Sequence, residues 1–139
     1  MERTLDMQFI RYLNLFEKIT RVRIQHCFSY NFTIIFVVPK MVMAKAIGEN
    51  GKNIKELSEI LERKVKVIAE PKGREDIEKF ILSIVHPINF KNVDIKDDFL
   101  VINAGRQNKA ALIGRNKTRL EEMKNILESY FGIKDVRIA

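Results

Sequence analysis

The chain is poor in the residues that mark secreted, membrane-spanning and zinc-bound proteins. Its 139 residues include one cysteine, Cys27, which excludes an internal disulfide and a cysteine-rich zinc site. The longest wholly apolar run, Ile34 to Val38, has five residues, whereas a membrane-spanning helix needs about 20. The first six residues lack the basic start and apolar stretch of a secretory signal. We therefore expect a cytoplasmic protein with no membrane partner.

Basic residues outnumber acidic ones. The chain has 25 lysines and arginines against 18 acidic residues, a net charge of +7. Between residues 99 and 120 there is no acid, but there are five bases: Arg106, Lys109, Arg115, Lys117 and Arg119. Such a balance indicates an anionic partner, most often nucleic acid. A merely solvated basic face is the alternative.

The sequence contains an internal repeat. Residues 31–62 aligned with 97–128 without gaps give eight identical pairs, where about two are expected by chance. Three of the identical pairs lie close together: Ile47/Ile113, Gly48/Gly114 and Asn50/Asn116. The chain is therefore predicted to hold two copies of one small α+β unit.

Each copy is predicted to run helix, strand, strand, helix, helix, strand. In the first copy, the helical stripes are Leu5, Phe9, Leu13 and Phe16, and then Ile54, Leu57, Ile60 and Leu61. The strands are predicted at 22–28, 32–38 and 65–69, with a turn at Tyr30-Asn31 and a short helix that ends at Gly48. In the second copy, the stripes are Ile77 to Val85 and Leu120 to Tyr130, and the strands are 88–95, 99–104 and 136–138. Asp97-Asp98 is predicted to be a turn.

The junction between the two adjacent helices carries the candidate chemistry. Gly48 can take the left-handed conformation that ends a helix, and Gly51 lets a sugar–phosphate chain approach the peptide. The first N–H groups of the next helix would then favour an anion. Bases could lie over Ile47, Ile54 and Val67. A plain helix–turn–helix with a glycine cap is the alternative.

With I-G-x-x-G at this junction, the series of elements resembles the KH RNA-binding domain in its type II arrangement, whose GXXG loop clamps about four nucleotides. Two such domains, 1–71 and 72–139, each with a three-stranded mixed sheet packed against helices, resemble the short archaeal NusA-like transcription factors. The resemblance implies a monomeric elongation or termination factor without cofactor or metal. Its partners would be single-stranded RNA of the nascent transcript and RNA polymerase.

The candidate RNA-binding residues surround the two helix junctions. They are Lys45, Ile47, Gly48, Glu49, Asn50, Gly51, Lys52, Asn53 and Lys55 in the first copy, and Arg106, Lys109, Gly114, Arg115, Asn116, Lys117 and Arg119 in the second. Two of them depart from the family pattern. Glu49 would repel phosphate unless it turns away or caps the following helix, and Lys117 replaces the second glycine. The second copy is therefore expected to hold RNA by charge.

Three other functions remain open from the residues. An enzyme, such as a nuclease, is disfavoured because His26 and His86 lie far apart in sequence and no nucleophile or phosphate-loop motif is present. His26 is expected to be a packed or half-exposed residue. A KH-bearing ribosomal or ribonucleoprotein component has the same composition as a transcription factor. A protein-binding KH pair that has lost RNA is the third, because of Glu49 and Lys117.

Overall fold

The computed structural model describes residues 7–139, which divide into two compact units between Glu70 and Pro71. The elements of the first unit are α1 (Met7–Thr20), β1 (His26–Tyr30), β2 (Thr33–Val38), α2 (Met43–Ile47), α3 (Lys52–Leu61) and β3 (Lys64–Ala69). Those of the second unit are α4 (Ile77–Val85), β4 (Asn92–Lys96), β5 (Phe99–Asn103), α5 (Arg106–Ile113), α6 (Thr118–Phe131) and β6 (Asp135–Ile138). The α+β class and the predicted order of elements are confirmed.

Each unit has a mixed three-stranded sheet. In the first, β2 lies between β1, which is antiparallel to it, and β3, which is parallel to it. In the second, β5 has the same place between antiparallel β4 and parallel β6. The parallel pair is joined through two helices, which is the long crossover that parallel strands require.

The core of the first unit lies between its helices and one face of its sheet. Phe16 of α1 and Phe36 of β2 are fully buried and stack with ring centroids 4.5 Å apart. Ala46 of α2, Leu57 of α3 and Val67 of β3 close the same cluster. Leu5, which the sequence assigns to the α1 stripe, lies outside the described residues.

Aromatic packing joins the helices of the second unit. The ring of Phe80 on α4 contacts those of Tyr130 and Phe131 on α6, at centroid distances of 5.0 and 5.7 Å. The predicted apolar stripe of α4 is buried along its whole length, from Ile77 to Val85. This stripe was fully visible in the sequence because its spacing is purely helical.

The first strand of each unit is shorter than predicted at its start. β1 begins at His26, which pairs with Val37 near the end of β2. β2 ends at Val38 because the next residue, Pro39, has no backbone N–H for a strand hydrogen bond, so the residues before His26 have no partner. β4 likewise begins at Asn92, opposite Asn103, where β5 ends. The predicted strand starts at residues 22 and 88 are wrong because neither has a partner strand to pair with.

The β1–β2 turn also differs from its prediction. It is formed by Asn31 and Phe32, with φ values of 51° and 61°, the two left-handed residues of a tight hairpin. Tyr30 belongs to β1 and pairs with Thr33. Phe32, predicted to begin a buried strand, is therefore at the hairpin tip and 79% exposed. Ile60, predicted on the inner face of α3, is 52% exposed.

Candidate nucleic-acid interface

The predicted helix junction is a tight turn, Gly48–Gly51, called here the 48–51 turn. α2 ends where the N–H of Gly48 donates to Ala44 O at 3.0 Å. Gly48 then has φ 82° and ψ 162°, Asn50 has φ 56° and ψ 26°, and Gly51 has φ 72° and ψ 21°. Three positive φ values in four residues reverse the chain between the two helices and leave Glu49 and Asn50 exposed.

The two glycines of this turn have different structural roles. A Cβ on Gly48 would lie 2.9 Å from the side-chain amide of Asn53 and 3.1 Å from its backbone nitrogen, so the interior of the turn requires glycine. A Cβ on Gly51 would meet nothing within 4 Å. Gly51 therefore faces open space and is not packed against another part of the unit.

The buried side chain of Asn53 stabilises the turn by hydrogen bonds to the end of α2. Its side chain is 8% exposed, and Nδ2 donates to the carbonyl oxygens of Lys45 and Ala46, at 3.1 and 3.2 Å. These are carbonyls of the last turn of α2, which lack helical partners of their own. Among the candidate residues of the first copy, Asn53 therefore has its side chain directed inward, where it holds α2 against the start of α3.

The second unit repeats the turn at Gly114–Lys117, called here the 114–117 turn. Gly114 has φ 77° and ψ 168°, Asn116 has φ 57° and ψ 29°, and Lys117 has φ 60° and ψ 22°. Each angle lies within about 12° of its counterpart in the 48–51 turn. The backbone is thus conserved between the copies, although a lysine stands where the first copy has glycine.

Arg119 takes the place of Asn53 in the second unit. Its Nη1 donates to Ala111 O at 2.8 Å, and Ala111 aligns with Lys45 in the repeat. A Cβ on Gly114 would lie 2.9 Å from Arg119 Cγ and 3.1 Å from its backbone nitrogen. The guanidinium of Arg119 is therefore engaged with α5, and the first glycine is required here for the same reason as at Gly48.

Backbone hydrogen bonds inside the turns engage the first N–H group of each following helix. The N–H of Lys52, first in α3, donates to Glu49 O, and that of Gly51 donates to Gly48 O. The second unit uses the N–H of Thr118 in the same way, toward Arg115 O. The first of the N–H groups that were predicted to face an anion is thus bonded within its turn in both units.

Most of the other candidate residues are exposed around the turns. The exposed set comprises Lys45, Glu49, Asn50, Lys52 and Lys55 in the first unit, and Arg106, Lys109, Arg115, Asn116 and Lys117 in the second. Gly48, Gly51, Gly114 and Ile47 are half-buried, the last against the core. Of the apolar side chains expected beneath bases, Val67 is buried in the core at 8% exposure, while Ile47 and Ile54 are half-buried. Val67 therefore cannot line a surface groove.

The candidate set omits two exposed residues that precede α2. Lys40 is exposed in the 3₁₀ turn Lys40–Val42, and Met41 is 95% exposed. The signal for Lys40 was present in the repeat, since it aligns with the candidate Arg106. A basic residue thus stands near the start of this helical segment in both copies.

Other kinds of site find little support in the structure. Within residues 7–139, no three or more histidine, cysteine or acidic side chains are grouped so that they could hold a metal ion. In the same range, every helix is too short or too polar to span a bilayer. His26, expected to be packed or half-exposed, is exposed at the start of β1.

Comparison with known proteins identifies relatives along almost the whole chain, although no protein-family model matches it. A Methanocaldococcus jannaschii protein named "probable transcription termination protein NusA" is 28% identical over 138 residues, covering 96% of this chain and 74% of that protein. Proteins of the same name from Methanococcus vannielii and Halococcus morrhuae are 27% and 25% identical, covering 96% and 100% of this chain and 78% and 100% of their own length. This chain resembles archaeal NusA. The resemblance expected from the sequence is thereby confirmed.

The fold has a counterpart among solved structures as well. The crystal structure of APE1850 superposes with a TM-score of 0.66 at 26% identity, covering 94% of this chain and 96% of that chain. The resemblance to archaeal NusA and this structural match therefore both extend over the two units, and neither is confined to the 48–51 turn.

Proposed function

We propose that the chain is a NusA-like transcription factor whose two units, 1–71 and 72–139, are type II KH domains that bind single-stranded RNA. The backbone of the RNA is seated at the 48–51 turn. The archaeal relatives named as transcription termination proteins support the transcriptional role. The KH assignment is supported by the two helices and their turn, which connect the parallel strands of a mixed sheet in both units.

One observation carries the binding site: no atom of the unit fills the space beside Gly51, a glycine that its positive φ also favours. Gly48 is required by the contact with Asn53, but the space beside Gly51 is open. The adjacent residues Glu49 and Asn50 are exposed, and Lys45, Lys52 and Lys55 are exposed on the flanking helices. A turn with an open glycine position between lysines suits a phosphodiester chain, whose phosphates contribute a large share of the affinity of nucleic-acid complexes.

Charge decides how strongly this turn can hold phosphate. Glu49 is exposed within the turn and opposes the three lysines around it. The first unit should therefore bind RNA with modest affinity and depend on contacts to unpaired bases as well as phosphates. A preference for single strands over duplex RNA follows, because bases in a duplex are not available for such contacts.

Fluorescence anisotropy with labelled single-stranded RNA, the matched DNA and duplex RNA tests this function. We expect tightest binding to the single-stranded RNA and a steep loss of affinity with added salt. Replacing Glu49 and Asn50 by aspartates should weaken binding about tenfold or more, equivalent to about 1.4 kcal/mol. Aspartate tolerates the left-handed conformation of residue 50, so the fold should be retained.

The matched control places a similar charge elsewhere on the same unit. Gln25→Glu adds one negative charge at an exposed residue between α1 and β1, and it should leave RNA affinity nearly unchanged. Equal affinities for the wild type, the double aspartate variant and this control would show that the 48–51 turn is not the site.

The transcriptional role requires a second measurement. RNA polymerase is the partner implied by the relatives' name, so tagged protein isolated from its native cells should co-purify with the polymerase. Co-sedimentation with ribosomes in place of polymerase would favour a ribonucleoprotein component with the same fold.

A further inference from the structure

The hairpin between β1 and β2 ends in an exposed phenylalanine. Asn31 and Phe32 form its two-residue turn, with φ values of 51° and 61°, and Phe32 is 79% exposed. A single exposed apolar residue is common on protein surfaces, but a bulky residue with a positive φ is not, because its Cβ then crowds the backbone. This position therefore combines backbone strain with an aromatic ring left in water, and neither stabilises the fold.

The second unit forms the equivalent hairpin without either feature. Its turn, Asp97 and Asp98, occupies the aligned positions, and β4 and β5 pair around it in the same register as β1 and β2. Asp98 stands where the first unit has Phe32, and of the two aspartates only Asp97 has a positive φ. The fold thus needs neither an aromatic residue nor a positive φ at this position.

Arg63 holds the backbone of the first hairpin tip in place. Its Nε donates to Phe32 O at 3.4 Å, and its Nη2 donates to Ser29 Oγ at 3.3 Å. Arg63 itself follows the end of α3 by two residues, and its carbonyl oxygen accepts from Ser58 Oγ of that helix at 2.7 Å. The guanidinium therefore fixes the tip through its backbone, while the ring of Phe32 stays exposed.

The two hairpin tips also differ in charge. In the first unit, the exposed Lys64 pairs with Thr33, the residue after Phe32. Residues 31–33 and 62–64 carry two bases and one acid, a net charge of +1, whereas the equivalent residues 97–99 and 133–135 carry one base and three acids, a net charge of −2. An exposed aromatic ring beside cations is the arrangement to which single-stranded nucleic acids bind, with bases stacked on the ring and phosphates near the cations.

We propose that Phe32 stacks against an unpaired base of single-stranded RNA and forms a second contact point on the first unit. This inference rests on the proposed function and extends it, because the tip and the 48–51 turn lie at opposite ends of α3. That helix has ten residues and is therefore about 15 Å long. A strand held at the turn reaches Phe32 only if it continues along the unit, so the tip lengthens the RNA site beyond the turn.

A tryptophan at the tip gives a direct optical test, because the chain contains no tryptophan of its own. In Phe32→Trp, a ten-nucleotide single-stranded RNA should quench the indole fluorescence, and the matched duplex should not, because its bases are already stacked. Asp98→Trp places the same probe at the aligned, exposed position of the second hairpin and should be quenched little. An unquenched Phe32→Trp at RNA concentrations that saturate the anisotropy, or equal quenching of the two variants, would overturn the proposal.

The RNA affinities of other substitutions at the tip separate stacking from simple apolar contact. Phe32→Tyr keeps an aromatic ring and should bind single-stranded RNA as the wild type does, whereas Phe32→Leu, which is apolar without a ring, should bind about fivefold or more weakly. Phe32→Gly should weaken binding by a similar factor, although glycine suits the positive φ, so unfolding cannot cause the loss. Wild-type RNA affinity in both the leucine and glycine variants would overturn the proposal, and reduced co-purification of RNA polymerase with them would then identify the tip as a protein contact.

The two proposals fail in different ways. If the wild type does not bind single-stranded RNA, the proposed function fails, and the stacking contact fails with it. If the wild type binds and aspartates at Glu49 and Asn50 weaken that binding, but Phe32→Leu and Phe32→Gly match the wild type, the proposed function stands and only the contact at Phe32 is refuted.

Discussion

Replacing Gly48 by alanine should destabilise the first unit far more than the same change at Gly51. The angles of Gly48, φ 82° and ψ 162°, lie in a region that essentially only glycine occupies, and another residue there costs about 1–3 kcal/mol. The new Cβ would also lie 2.9 Å from the Asn53 amide. Displacing that amide weakens two hydrogen bonds, each contributing about 1 kcal/mol. We expect the free energy of unfolding to fall by about 2–4 kcal/mol.

Gly51→Ala meets a smaller penalty. Its left-handed conformation costs alanine about 1–2 kcal/mol, but no atom lies within 4 Å of the new Cβ. The loss of freedom in the unfolded chain offsets about 0.4–1 kcal/mol of that cost. The expected net loss is therefore at most about 1.5 kcal/mol. Lys117, a residue with a Cβ in the same conformation, shows that the backbone accepts a side chain here.

Urea unfolding of the whole chain, followed by circular dichroism, measures both changes. Gly114→Ala is the matched variant in the second unit, where a Cβ would lie 2.9 Å from Arg119 Cγ, and it should behave like Gly48→Ala. Equal losses for Gly48→Ala and Gly51→Ala would refute the distinction between a glycine needed for packing and one that faces open space. Under the proposed function, Gly51→Ala should also lower the free energy of RNA binding, and by more than it lowers the free energy of unfolding.

Three further changes test the fold around the site. Asn53→Ala should lower the free energy of unfolding by about 1–3 kcal/mol, because the carbonyls that Asn53 caps lose a donor; an unchanged urea midpoint would contradict this role. Phe32→Gly should raise the free energy of unfolding by up to about 1 kcal/mol, because Asn31 and the new glycine would form the favoured Asn-Gly hairpin turn. A lower thermal midpoint would show instead that the exposed ring of Phe32 makes stabilising contacts in solution. Phe36→Ala should cost about 3–5 kcal/mol through the lost stack on Phe16, and a loss under about 1 kcal/mol in the same titration would disprove that packing.

The order of the elements could be predicted from the sequence because helix and strand periodicities are local. The stripe of α4 and the run of β2 needed no knowledge of their partners. The strand starts could not be found in this way, since the length of β1 is set by where β2 ends at Pro39 and the length of β4 by where β5 ends. Phe32 was misplaced for a related reason: its residue type favours a strand, but the hairpin register puts it in the turn.

The position of the turns could be predicted, but their internal construction could not. The repeat locates Gly48 and Gly114 at equivalent sites. The contact that makes these glycines necessary joins residues on two different helices, and it is made by asparagine in one unit and by arginine in the other. Because asparagine and arginine are chemically unlike, the sequence does not show that both residues hold the helix before the turn against the helix after it.

The contrast between a packed and an open glycine position explains which residues of the turn differ between the copies. Positions 48 and 114 are both glycine, because a Cβ there would collide with the start of the next helix. At position 51 nothing is close, so that side of the turn is free to vary, and its counterpart is Lys117. Lysine is strained in this conformation, which glycine and asparagine adopt more readily. If the 114–117 turn served only to connect helices, asparagine or glycine would serve it better, and Lys117→Asn should then stabilise the second unit without changing its affinity for RNA.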